Sequence, residues 1–167
     1  MFEVGEYIVY GCKGVCQVEE ITHIDIPGSN KDRLYYVLTP MDDRNGKIYA
    51  PTDNEKVAMR KVITEKEAKQ LIEEMPQIEK IWVSNEKQRE IKYKEALRTC
   101  DYRAWISIIK TLYFRKKERI AQGKKITSLD ERYLKAAENE LYSELSLTLG
   151  IPRGEMEQLI CKRLEKV

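Results

Sequence analysis

Histidine is almost missing from this sequence: His23 is the only one among 167 residues. A Ser-His-Asp or Cys-His grouping and an imidazole metal site therefore have little to build on. Cysteine is sparse as well. Cys12 and Cys16 stand in a C-x3-C spacing while Cys100 and Cys161 are isolated. Four scattered thiols make neither a zinc framework nor a disulfide scaffold. No glycine-rich phosphate loop occurs either. The expectation is no catalysis, no metal and no cofactor. Apolar runs fall far short of the roughly 20 residues that span a bilayer, so no membrane partner is expected. The opening Met1-Phe2-Glu3-Val4-Gly5-Glu6 has neither the basic start nor the apolar stretch of a secretory signal.

Charge of one sign is also lacking overall, with a formal net charge of only +2. Its distribution is uneven. Residues 1–60 carry seven Lys or Arg against ten acids, a net of −3. Residues 80–125 carry fourteen Lys or Arg against only Glu86, Glu90, Glu95, Asp101 and Glu118, a net of +9. Such a concentration suits a surface that faces phosphates or acidic lipid, and competes with the plainer reading of solvated helix faces.

What is present changes character near residue 62. Before it, Tyr7–Tyr10, Val15–Ile24, Leu34–Thr39, Lys47–Ala50 and Val57–Val62 are short runs rich in Val, Ile and Tyr. Breaks fall at Gly11 and Gly14, at Pro27-Gly28-Ser29-Asn30 and at Asn45-Gly46, the last a hairpin signal. Five short strands in about sixty residues predict a small antiparallel β barrel. After residue 62 the period is helical. Thr64 with Glu67 makes a capping box for a helix that Pro76 ends. Further helices are expected from about Ser84 to Thr99, from an Asp101 cap to Gly123, from a Ser128/Glu131 capping box, and beyond Pro152. Trp105, Ile108, Ile109 and Leu112 form an apolar stripe, and Arg103, Lys110 and Lys117 lie seven apart on another face. The fold class is thus α+β, a β-barrel domain over 1–62 followed by an all-helical bundle over 63–167.

An ordered set of residues carries a resemblance. Val4-Gly5-Glu6-Tyr7-Ile8-Val9-Tyr10, continuing to Gly14-Val15-Cys16-Gln17-Val18, opens it. Tyr35-Tyr36-Val37-Leu38 and Ile48-Tyr49-Ala50-Pro51 follow, then Trp82 with Arg89, Tyr93 and Leu97. Ala136-Ala137-Glu138 and Leu141-Tyr142-Ser143-Glu144-Leu145 complete it. This series resembles the CarD/CdnL family of bacterial transcription regulators, whose first domain also occurs in transcription-repair coupling factors. The resemblance implies a Tudor-like barrel that pairs strand to strand with the β subunit of RNA polymerase. It implies a helical domain on promoter DNA at the upstream edge of the bubble, stabilising the open complex. By position, Trp82 resembles the family's minor-groove wedge, with Arg89 and Lys92 as phosphate contacts. The polymerase-binding residues would be Ile24, Lys47, Ile48, Tyr49 and Pro51. The implied location is the cytoplasm, at the nucleoid. Three departures stand out. The first turn reads Tyr10-Gly11-Cys12-Lys13-Gly14 where the family often has Tyr-Pro-x-His-Gly. Ile24 and Tyr49 fall where some relatives hold arginine. The stretch from Trp82 to Asp101 is about one helical turn longer than in some relatives.

Each of these residues also has a plainer reading. A tryptophan between Ile81 and Val83 is commonly a core anchor. Arg89 and Lys92, three apart, can straddle a phosphate backbone or line a solvated face among Glu86, Glu90 and Glu95. Arg115-Lys116-Lys117-Glu118-Arg119 can touch nucleic acid or complement a helix C-terminus. Lys47–Pro51 is either an edge strand open to a partner sheet or an interior barrel strand. The rival functions are a stand-alone nucleic-acid-binding protein and a protein–protein adaptor without DNA contact.

Overall fold

A computed structural model describes residues 1–24, 27–28, 32–83 and 85–165. Ser29 and Asn30 of the expected break, and Ser84 at the expected helix start, lie outside these residues. The chain divides into two compact units, Met1–Val62 and Ile63–Val167.

The first unit is an antiparallel sheet of β1 (Tyr7–Tyr10), β2 (Val15–His23), β3 (Leu34–Pro40), β4 (Ile48–Pro51) and β5 (Met59–Lys61), in the order β4-β3-β2-β1-β5. Ile8, Cys16, Val18, Tyr36, Leu38 and Ala50 form its core, with Phe2, Tyr10, Ile21, Ile48 and Met59 packed against it. Alternation along each strand puts these residues on one face. The expected barrel is corrected here. Among the described residues no pairing joins β4 to β5, so the sheet is open, with β4 at one edge and β5 at the other. A bulge between Val18 and Glu20 bends β2 without closing the ring.

Two turns explain local departures. Gly11 has φ +46°, a Cβ there would meet the Val57 side chain at 2.7 Å, and its amide donates to the Ala58 carbonyl at 2.8 Å. Proline, which occupies this turn in the resembled pattern, has no N–H for that bond. The β3–β4 connection is a hairpin, but not the tight Asn-Gly turn expected. Residues 41–47 make a longer loop in which the Gly46 amide donates to the Asp43 carbonyl (3.0 Å) and carboxylate (3.2 Å). Neither Asn45 nor Gly46 has positive φ.

The second unit holds α1 (Glu65–Glu74), α2 (Glu86–Arg98), α3 (Tyr102–Ala121), α4 (Ser128–Leu149) and α5 (Arg153–Glu165). Thr64 and Glu67 form the capping box of α1, and Asp101 caps α3 through the Arg103 amide. The cap of α4 is Thr127, whose side chain accepts from the Asp130 amide, one residue earlier than the expected Ser128. α4 touches every other helix: α3 most extensively, then α5, α1 and α2. Trp105, Ile108, Ile109 and Leu112 of α3 and Leu141 and Leu145 of α4 are buried in this core. Glu144, fully buried, accepts the Ile63 amide at 2.7 Å, and the Thr148 hydroxyl donates to the Ile63 carbonyl at 2.6 Å. No helix among the described residues is long and apolar enough to cross a membrane.

Candidate interaction sites

Pro76, inside a 3-10 turn at Met75–Gln77, ends α1. Residues 78–83 then form neither helix nor strand before Asn85 caps α2. A segment without its own hydrogen-bond ladder must satisfy its backbone elsewhere. Three side chains supply partners. Lys110 of α3, only 5% exposed, donates to the carbonyls of Met75 (3.4 Å), Pro76 (2.7 Å) and Ile78 (2.8 Å). The Thr111 hydroxyl accepts the Ile81 amide at 2.8 Å and donates to the Ser107 carbonyl at 2.6 Å. Lys92 of α2 donates to the Trp82 carbonyl at 2.7 Å. Burial, with repulsion from Lys80, lowers the Lys110 ammonium below its ordinary value.

Trp82 has its backbone carbonyl held by Lys92 and its side chain largely exposed. Its indole is 76% exposed, whereas Trp105 is fully buried. The core anchor in this unit is therefore Trp105. The Lys92 ammonium lies 6.0 Å from the Trp82 ring centroid, within cation–π range, and Lys80 lies 4.3 Å from that of Phe114. Beside the connector a groove of about 460 Å³ is lined by Lys80, Asn85, Glu86, Phe114, Arg115 and Glu118, among others.

Arg89 and Lys92 do not share a role. Arg89 is buried, with NH2 3.0 Å from Asp130 and 3.0 Å from the Tyr93 hydroxyl, and NH1 3.2 Å from Glu86. Burial opposes its charge, but Tyr93, Asp130 and Glu86 outweigh that and raise its pKa above the ordinary arginine value. Asp130 also receives Arg115 at 2.7 Å. A guanidinium held in this way is poorly placed to meet a phosphate. The equivalence expected from the i, i+3 spacing is corrected: Lys92 remains near the surface and Arg89 does not. The heptad-spaced trio on α3 divides similarly. Arg103 pairs with Glu74, Lys117 with Glu165, and Lys110 faces inward to the carbonyls above. Arg119 donates to the Lys125 carbonyl at 2.8 Å. Much of the basic segment is therefore engaged within the helical unit. Sequence reasoning missed Lys110, Thr111 and Asp130. One signal was available: a lysine inside Ile108-Ile109-Lys110-Thr111-Leu112 interrupts an apolar run, and a buried lysine needs acceptors.

In the sheet, β4 pairs with β3 through Leu38–Ile48, Val37–Tyr49, Tyr36–Ala50 and Tyr35–Pro51, and its other side meets no strand among the described residues. Of the two readings of Lys47–Pro51, the structure has the edge strand. The Thr52 amide donates inward to the Leu34 carbonyl at 3.0 Å. Antiparallel alternation then turns Ala50 and Ile48 toward β3 and the Tyr49 N–H and C=O outward. Pro51 falls on an outward position, where its missing N–H costs the sheet nothing. Tyr49 is 49% exposed, Lys47 is exposed just before the strand, and Ile48 is half-buried against the core. Ile24 follows β2 and is half-buried.

Residues 2–63 match the CarD-like/TRCF RID domain. The N-terminal unit belongs to the CarD-like/TRCF RID family. It is an RNA polymerase-interacting domain, and the family resemblance read from Val4 to Pro51 holds over this unit. Within the CarD-like domain, β4 supplies an exposed backbone edge. No curated protein matches the chain.

Proposed function

We propose that this protein is a transcription regulator without enzymatic activity, which docks on the β subunit of RNA polymerase and steadies melted promoter DNA. The CarD-like unit supports the first half. Its open β4 edge offers the Tyr49 N–H and C=O to a partner strand, the mode of recognition in which main-chain bonds give affinity and side chains tune it. Lys47, Ile48, Tyr49 and Pro51 build or flank that edge, while Ile24 follows β2, two strands away in the sheet.

Trp82 carries the second half. A large, flat, mostly apolar ring on a fixed backbone can fill the gap where base steps part and so oppose reclosure of the bubble. An indole 76% exposed at the mouth of the basic segment has the form such a wedge needs. Lys92, beside it, meets backbone phosphate. Arg89 serves indirectly by joining α2 to α4 through Asp130. Wedge and phosphate contacts carry little sequence information, so the protein recognises the junction rather than a sequence.

The test is Trp82→Ala in the full chain, measured for open-complex lifetime, polymerase binding and thermal unfolding. An exposed side chain predicts unchanged polymerase binding, stability altered by no more than about 0.5 kcal/mol, and a shortened open complex. An unchanged lifetime removes the wedge from the reading.

A further inference from the structure

We infer that Lys110 and Thr111 are positioning residues for Trp82: together they hold the 75–83 connector by its backbone and so aim the exposed indole. The inference rests on the wedge reading above and extends it to residues that touch no DNA.

The argument starts from cost. Burying an ammonium is unfavourable unless its hydrogen-bonding capacity is met, and Lys110 is 5% exposed on α3. Its three donors are met by carbonyls alone, those of Met75, Pro76 and Ile78. No acid is among these partners, so the contact is not an ion pair that merely joins two helices. It grips the turn just after α1, where the chain has left its helical ladder. The neighbouring Thr111 binds the next stretch through the Ile81 amide, one residue before the indole. Lys92 then holds the carbonyl of Trp82 itself. Four of the eight residues from Met75 to Trp82 are thus fixed by backbone bonds from Lys110 and Thr111, and a fifth by Lys92. A ring that must enter a gap between bases gains from having this freedom removed beforehand, because ordering it during binding would cost affinity.

The experiment compares Lys110→Met and Thr111→Val, each alone and combined with Trp82→Ala, in the full chain. Lys110→Met keeps length and removes the donors. Thr111→Val removes one half-buried hydroxyl, and keeps the question decidable if the first variant fails to fold. Two readouts are taken on folded protein: open-complex lifetime with polymerase, and hydrogen exchange at the Ile81 amide. With Trp82 present, each change is expected to shorten the lifetime about twofold to tenfold, the loss expected for one or a few hydrogen bonds. With Ala at position 82, neither should shorten it further, since nothing remains to aim. Thr111→Val should also raise exchange at Ile81. Equal shortening with and without Trp82 would make both residues general scaffold and overturn the inference. So would a full lifetime in Thr111→Val. If Trp82→Ala alone leaves the lifetime unchanged, the wedge reading has failed, and exchange at Ile81 still reports whether the connector is held.

Discussion

Arg89 and Asp130 meet at 3.0 Å with side chains 6% and 1% exposed, joining α2 to α4 across 41 positions of sequence. Asp130 is shared with Arg115 of α3, so one carboxylate ties three helices together. A buried charge left without its partner is costly. Asp130→Ala removes the carboxylate that both arginines share and is expected to destabilise the helical unit by about 3–5 kcal/mol, and Arg89→Ala, which leaves Asp130 its Arg115 partner at 2.7 Å, by less. The double variant should lose less than the sum of the two. Chemical denaturation of the four proteins checks this, and strict additivity would mean that the pair is not coupled.

Lys92 should behave differently from Arg89 toward DNA. Each phosphate neutralised on a duplex contributes roughly −0.9 to the slope of log affinity against log salt. Lys92→Ala is expected to flatten the slope by about that amount for unrelated sequences. Arg89→Ala, studied where it remains folded, should leave the slope unchanged. A salt titration by anisotropy of labelled duplex reads both. Equal flattening by the two would restore Arg89 to the DNA surface.

The β4 edge gives a paired prediction. Tyr49→Pro removes an outward N–H and should weaken binding to the polymerase β subunit while the sheet persists. Ile48→Pro removes an inward donor to β3 and should destabilise the sheet itself. Circular dichroism melts alongside binding to a purified β-subunit fragment distinguish them. If Tyr49→Pro binds like the parent, the partner strand lies elsewhere.

Acid should loosen the helical unit. Arg103 holds Glu74, the Tyr133 hydroxyl holds Glu90, and Lys117 holds Glu165 below their ordinary value of 4.5. A depressed carboxyl contributes stability above its unfolded pKa and loses it as pH falls through the folded one. Burial holds the Glu138 carboxyl above its ordinary value, which acts in the opposite direction. The fall in melting temperature is therefore expected only below about pH 4.5, with a smaller fall in Glu165→Gln. Melting curves across that range test the sign.

Local chemistry was legible in the residues themselves. Thr64 with Glu67, and Asp101, mark helix starts through bonds that span two or three positions. At α4 the expected Ser128/Glu131 frame gives way to a cap at Thr127, one residue earlier. The inward bonds of Asp130 to Arg89 and Arg115, from other helices, accompany the earlier one. The same limit separates Arg89 from Lys92. Their spacing says that they are neighbours on α2, but what buries Arg89 comes from α4, 41 positions away. The acceptors of Lys110 stand 32 to 35 positions earlier, in a segment without periodicity. An open sheet and a closed barrel share one alternation along each strand, so pattern alone could not decide between them.

The contrast between the two tryptophans gives the protein a built-in optical label. Trp105 is sealed in the helical core and Trp82 stands in water, and the chain has no third. Emission from an indole in water lies to the red of one in an apolar interior, and only the exposed ring meets a dissolved quencher such as acrylamide or iodide. Red-edge, quenchable fluorescence thus belongs to Trp82 and blue, protected fluorescence to Trp105. Stacking of DNA bases on Trp82 should darken the first signal and shield what remains, while the second serves as an internal reference within the same unlabelled molecule.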